Sequence, residues 1–285
     1  MVKRYKIVVI TTRYWRPGED YLQQIVDSIE SQVQDGDVVT VSEKAISTAL
    51  GNLADESAIQ PSRTAEFLAR YWMRLVWGYI LGPLARLRSV TSQHLRNYPF
   101  EEGSAHKQLV LEQAEFVDAL MFGSEGGIDA SNLPYSYVSL PLGNALEIAQ
   151  EIRTNIKKEL GRSVTVMLVD TDKTYSLRTF HFTPRPRPIR GIRSIGGLLS
   201  YLVGRALKMK HRATPIAIAG SQLPTEHALE IAEIANRTRG FGAGRTVWDM
   251  AERFGVAVTE VTWDMLDRLQ HKPIVIVKPY ETRKG

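Results

Sequence analysis

The stretch Val164-Thr165-Val166-Met167-Leu168-Val169 constrains this chain more than any other. It is apolar except for one threonine and mostly β-branched, so it reads as a buried strand. A helix leads into it: Asn144 to Leu160 places Leu146, Ala149, Ile152 and Ile156 on one face, and Gly161 stops it. The strand runs straight into Asp170-Thr171-Asp172. Carboxylates are thereby delivered from a rigid element at its carboxyl edge, where open α/β sheets bind ligands. The same residues also suit a helix cap or a turn.

Around this strand the other signals are mixed. Tyr5 to Ile10, Val38 to Val41, Leu133 to Leu140, Pro215 to Ala219, Val256 to Thr259 and Pro273 to Val277 read as strands. Asp20 to Gln34, Gly196 to Lys208, Pro224 to Asn236 and Trp263 to Leu269 read as helical. No clean βαβ alternation emerges, so the expected class is α+β in two lobes. Ser62 to Leu87 is helical and unusually apolar, but Arg63, Glu66, Arg70 and Arg74 interrupt it. Charges at mid-bilayer are costly, which points to a buried helix or a dimer contact instead of a membrane span. Its aromatic stripe suits core packing or a pocket wall. After Asp172 a long loop is expected, through Phe180 to Arg190, proline-fixed and extended with projecting arginines, able to bind a polyanion or simply to connect.

Two glycine-bearing segments complete the candidate chemistry. Glu125-Gly126-Gly127-Ile128-Asp129-Ala130-Ser131-Asn132 turns sharply and then offers a carboxylate, a hydroxyl and a carboxamide. It is either an oxygen-rich ligand loop or an ordinary turn. Arg239-Gly240-Phe241-Gly242-Ala243-Gly244-Arg245-Thr246 fails as a P-loop, since arginines stand where glycine and lysine are needed and a helix precedes it. Its glycines can still expose N–H groups to an anion beside Arg245; a tight inter-helix turn is the other reading.

Composition removes several chemistries. With no cysteine, disulfides, thiolate metal sites and a cysteine nucleophile are excluded. The six histidines suit neither a triad nor tetrahedral zinc. A net charge of +5 favours anionic partners such as nucleotides, phosphorylated metabolites or nucleic acid, though no nucleic-acid motif accompanies it. No leader pattern opens the chain, so a cytoplasmic protein is expected. What remains suits Mg²⁺ or Mn²⁺ holding a nucleoside triphosphate.

Three segments carry a family resemblance. Gly127-Ile128-Asp129-Ala130-Ser131-Asn132 resembles the G-V-D-x-S-N signature of the coenzyme F420-0:L-glutamate ligase family. Val169-Asp170-Thr171 resembles its S-D-T, at the family's separation of 41 residues between aspartates. Asp35 to Ser47 resembles its G-D-x-x-V-x-x-Q-K-x-x-S-K, with Thr48 in place of the last lysine. The resemblance implies GTP-dependent amide formation between a substrate carboxylate and L-glutamate, with Mg²⁺ or Mn²⁺, in a homodimer. It implies Asp129, Asp170 and Thr171 as metal ligands. It also implies Lys44 and Asn132 on the nucleotide phosphates, and the loop from Thr11 near the nucleotide. Lys44 would join Asp129 and Asp170 in catalysis. Gly242, Gly244 and Arg245 would add an anion contact special to this chain. A glutamine that the family sets near the metal would fall near Asn236 or Arg237. Residues 1–60 and 120–220 would form the main lobe, 61–119 a helical insertion, and 221–285 the nucleotide-loop region of the second lobe. The competing expectation is a non-catalytic nucleotide- or RNA-binding paralogue.

Overall fold

A computed structural model describes residues 4–123 and 125–280. Lys3 and the charged tail after Tyr280 lie outside the described residues. In chain order the elements are β1 (Arg4–Thr12), α1 (Tyr21–Ile29), β2 (Val38–Ser42), α2 (Glu43–Ala49) and β3 (Leu53–Asp55). A helical segment follows: α3 (Arg63–Phe67), a π-helix (Leu68–Leu81), α4 (Gly82–Leu84), α5 (Ser89–Arg96), α6 (Glu101–Gln113) and α7 (Phe116–Ala119). Next come β4 (Tyr137–Ser139), α8 (Ala145–Leu160), β5 (Thr165–Leu177), β6 (Phe180–Thr183), β7 (Arg193–Ser194), α9 (Gly197–Ala206) and β8 (Lys210–Ala219). The chain closes with α10 (Thr225–Arg239), α11 (Val247–Phe254), α12 (Trp263–Asp267) and β9 (His271–Tyr280).

The fold is α+β, built on a mixed seven-stranded sheet in the order β1-β9-β2-β5-β6-β7, with β8 also paired to β5. β2 and β5 run parallel, while β9 is antiparallel to both β1 and β2. Period-two alternation divides the strands between two cores. Val39, Val41, Val166, Leu168, Ile274 and Ile276 face α1 and α8, whose Ile25, Ile29, Ile152 and Ile156 are buried against them. Val38, Met167, Val169, Val275 and Val277 face α10. Each such side chain taken from water contributes about 1.5–3 kcal/mol, so the central strands are held on both faces.

The expected strand Val164 to Val169 exists, but it does not stop at Asp170. β5 continues to Leu177, and its register against β8 shifts where Asp170 faces Thr214 and Lys173 faces Ala213. Thr171 and Asp172 are thus extra residues in a bulge, which re-aims side chains in mid-strand. The supposed long loop after it contains β6, which pairs back onto β5. Two further expectations differ. Leu133 to Leu140 is a strand only over Tyr137–Ser139. Val256 to Thr259 gives no strand but a 3-10 turn at Val258–Glu260, where the Glu260 carboxylate accepts from Ala257 N.

The helical segment has its own core of Met73, Trp77, Leu95 and Met121, with Tyr201 of α9 and Trp248 of α11 packed against it. The Trp72 and Trp77 indoles both donate to Leu120 O, at 2.8 and 2.7 Å. Winding at the wider π pitch puts Ala69, Met73 and Trp77 on the buried side and leaves Tyr71, Leu75 and Tyr79 exposed. Among the described residues no helix is long and apolar enough to cross a membrane.

Candidate functional site

The loop after the helical segment is fixed before its side chains are considered. Gly126 and Gly127 adopt φ of 67° and 92°, a region that side chains rarely enter. Asp129 then exchanges backbone hydrogen bonds with Ser139 of β4, at 3.1 and 2.9 Å. Its Oδ1 accepts from Ser131 N and Ser131 Oγ, both at 2.8 Å. Its Oδ2 stands 2.5 Å from Lys44 Nζ. Lys44, in the first turn of α2, also donates to Ser131 O at 2.8 Å and to Ser131 Oγ at 2.9 Å. The ammonium is therefore held by three oxygens of this loop, two by hydrogen bonds and one as an ion pair.

Asn132 bridges to the glycine loop. Its Oδ1 accepts from Ala243 N at 2.5 Å and its Nδ2 donates to Gly244 O at 3.2 Å. One carboxamide thus clasps the glycine loop, its partners 111 and 112 residues downstream. A Cβ on Gly242 would lie 2.5 Å from Asn132 Oδ1, so a side chain at that position would displace the clasp. The start of α11 is self-capped, with Thr246 Oγ1 accepting from Asp249 N at 3.1 Å.

Asp170, beside the bulge of β5, is held by a residue outside the expected site. Arg185, only 2% exposed, places Nε 2.7 Å from Asp170 Oδ2, an ionic contact rather than an aligned hydrogen bond. Its Nη2 donates to Glu43 Oε1 at 2.5 Å and its Nη1 to Gly126 O at 2.8 Å. One buried guanidinium therefore ties together the carboxylate strand, the residue next to Lys44 and the Asp129 loop. The expected picture of arginines projecting from this proline-rich segment is wrong at Arg185. Gly127 is the local reason it fits, since a Cβ there would fall 1.7 Å from Arg185 Nη1. Burial pushes the Glu43 carboxyl up while Arg185 pulls it down and Asp170 adds to the push.

A second buried network backs the loop. Glu125 contacts both His106 and the fully buried Lys107, and His106 Nδ1 also meets Glu56 at 2.5 Å. Burial alone would raise Glu125, but His106 and Lys107 outweigh it and hold the carboxyl at about 2. Burial would lower His106, yet Glu125 and Glu56 lift it to about 10.

Two cavities meet at the site. One, of about 430 Å³, is lined by Asp129, Asp170, Thr171 and Ser131, with the aromatic walls Tyr98 and Trp248. The other, of about 630 Å³, is lined by Lys44, Lys173, Arg237, Arg239, Arg245 and Lys272. Ser131, Thr171 and Arg245 belong to both walls. The basic chamber is also lined by Asn132, Gly242, Gly244 and Asn236. Arg245 stacks over Phe241, 4.0 Å from the ring centroid, and burial lowers Arg239 to about 10, which leaves it charged at neutral pH. His271, stacked on Tyr14 with centroids 4.5 Å apart, is driven by burial down to about 4 and stays neutral. Thr11 is the exception among the expected site residues. It lies exposed on β1, and neither cavity includes it.

Asp129, Asp170 and Thr171 are hard oxygen donors, which Mg²⁺ and Mn²⁺ prefer. Among the described residues no three His, Cys, Asp or Glu side chains are gathered to hold an ion. Both carboxylates also already touch a cation, Lys44 or Arg185. This donor set fits an ion that brings water and phosphate ligands of its own, not an all-protein cage.

A sequence profile of the F420-0:gamma-glutamyl ligase family matches residues 9–236. The chain belongs to that family. An uncharacterized protein of Methanocaldococcus jannaschii is 37% identical over 287 residues, spanning 96% of this chain and 97% of that one. The gamma-glutamyl ligase match contains Lys44, Asp129, Asn132, Asp170 and Arg185, and ends at Asn236, where the basic chamber begins its final wall. The glycine loop, α11, α12 and β9 lie beyond the matched span, although β9 sits between β1 and β2 in the sheet.

Proposed function

We propose that this chain is a GTP- and divalent-metal-dependent ligase that joins a substrate carboxylate to the amino group of L-glutamate. The observation that carries the reading is the junction of the two cavities. A carboxylate-bearing chamber adjoins a chamber walled by six cationic side chains, Ser131, Thr171 and Arg245 belong to both walls, and Lys44 of the basic chamber reaches Asp129 of the other. A triphosphate placed in the basic chamber would direct its terminal phosphate at that junction. Mg²⁺ or Mn²⁺, held by Asp129, Asp170 and Thr171, supplies charge neutralisation for the transferring phosphoryl group.

The chain's own residues orient and neutralise. Lys44, Arg239 and Arg245 screen the phosphate oxygens, and the Asn132 clasp holds the glycine loop against them. Arg185 fixes the rotamer of Asp170. In the reaction, a substrate carboxylate oxygen attacks the γ-phosphorus, the bond to the β-phosphate oxygen breaks and GDP leaves. The amine nitrogen then attacks the acyl carbon, the bond to the phosphate oxygen breaks, and inorganic phosphate departs with the electron pair and takes up the amine proton. The assay is phosphate release from GTP that requires Mn²⁺ or Mg²⁺, a carboxylate acceptor and L-glutamate together. Asp129→Asn and Asp170→Asn are expected to abolish it, and undiminished turnover in both removes these residues from the mechanism.

One observation favours a second reading, a paralogue that binds nucleotide without turnover. Both carboxylates carry internal counter-cations, and Thr48 stands on the chamber wall where the family resemblance has a lysine. Metal-dependent nucleotide binding with no phosphate release from GTP under any acceptor selects it.

A further inference from the structure

A third cavity, of about 490 Å³, adjoins the carboxylate chamber and shares Glu56, Glu102, Ala130, Val247 and Val258 with it. Glu56, Glu66, Glu101 and Glu102 line it, with Phe100 and Tyr137 among its other walls, and none of its lining residues is Lys, Arg or His. In a chain of net charge +5 this is a local reversal of sign. Glu101 and Glu102 open α6 and Glu66 stands in the first turn of α3, where the helix dipole favours acids, but the dipole does not account for two helix starts and Glu56 converging on one cavity. Glu66, Glu101 and Glu102 have no ion-pair partner among the described residues. Glu56 is engaged by His106, and Arg70 stacks on Phe100, 4.2 Å from the ring centroid. A second observation is independent of the acids. Ser104, 1% exposed, forms part of this wall, and its buried Oγ has no hydrogen-bond partner. Buried hydroxyls are normally satisfied, so the orphan marks a polar group expected from a ligand.

We propose that this vestibule binds the cationic end of the acceptor, so that the molecule activated by this chain is a carboxylic acid bearing an ammonium or guanidinium group at its far end. The inference rests on the ligase reading for what happens to the carboxylate, which lies in the inner chamber beside Asp129 and Asp170. The vestibule holds the other end by charge, by the face of Tyr137, and by the Ser104 hydroxyl. An acceptor with an acidic far end is repelled from the three carboxylates of Glu66, Glu101 and Glu102.

The test uses the full chain without nucleotide, so it is separate from turnover. Straight-chain ω-amino acids of four to eight carbons and the dicarboxylic acids of matching length are titrated by ligand-observed NMR. The best ω-amino acid is expected to bind at least tenfold tighter than its dicarboxylate partner, and added salt narrows the gap. In a Glu101→Gln/Glu102→Gln double variant, both sites being exposed, the preference falls at least fivefold. Glu30→Gln, an exposed acid on another face, leaves it unchanged, and circular dichroism checks that each variant is folded. Dicarboxylates binding as tightly as ω-amino acids, or a preference that survives the double variant, overturns the proposal. Absence of GTP turnover would sink the ligase reading and leave this result standing.

Discussion

Replacing Lys44 with methionine tests the internal counter-ion most directly. Lys44 Nζ lies 2.5 Å from Asp129 Oδ2 and is also held by two oxygens of Ser131, so the folded site already contains a cation in an oxygen cage. A divalent ion that takes Asp129 must displace it. A hydrogen bond to a charged group contributes about 1.5–3 kcal/mol net. The pair is partly solvated, with side chains 20% and 29% exposed, which places the cost near the lower end. At 1.4 kcal/mol per factor of ten, Lys44→Met should bind Mn²⁺ about tenfold more tightly than the parent when no nucleotide is present. The same change removes a cation from the basic chamber, so affinity for a GTP analogue should fall while metal affinity rises. In the parent, nucleotide drawing Lys44 away should tighten Mn²⁺ binding, and linkage requires the converse. Free Mn²⁺ measured by electron paramagnetic resonance in titrations of both proteins, with and without analogue, reads all four states. Equal Mn²⁺ affinity of parent and variant without nucleotide would refute the displacement argument.

Arg185→Met leaves Glu43 and Asp170 facing each other in a buried site without their shared cation. Breaking such an arrangement costs about 3–5 kcal/mol, and the denaturant midpoint should fall accordingly. Arg185→Lys should recover little, because a point ammonium cannot reach three partners in a guanidinium's geometry; full recovery would show that only charge matters there. The Glu125–His106 network gives a pH signature. His106 is raised from 6.5 to about 10 in the fold, so its contribution is complete below pH 6.5 and is lost as pH climbs through 10. Glu125 is lowered from 4.5 to about 2, so its contribution is complete above pH 4.5 and is lost as pH falls through 2. Thermal melts should therefore be highest between about pH 4.5 and 6.5 with respect to this network. His106→Gln should flatten the alkaline side, and an unchanged pH slope in that variant would discount the network.

Much of the sheet and its helices was legible from local pattern. The β-branched run at Val164 to Val169, the four-residue steps of the helix at Asn144 to Leu160 and its stop at Gly161 need no partners to be recognised. The motif residues Lys44, Asp129 and Asp170 were also visible, since glycines, carboxylates and their spacing are properties of the chain itself. The helical character of 62–87 was readable too, but its π pitch was not.

What the tertiary structure decided is who neutralises whom. Whether Asp170 ends a strand or sits beside a bulge within one depends on the register with β8, which pairs it with Thr214, distant in sequence. The roles of Arg185, the Asn132 clasp and the clustering of Lys173, Arg237, Arg239 and Lys272 follow from contacts between elements distant in sequence. An arginine in a proline-rich stretch carries no local mark of being buried, and only Gly127, left without a side chain to make room, hinted at it. Local chemistry names the charged groups, but the energy of a charge depends on its burial and its neighbours, and both are set only when the chain closes on itself.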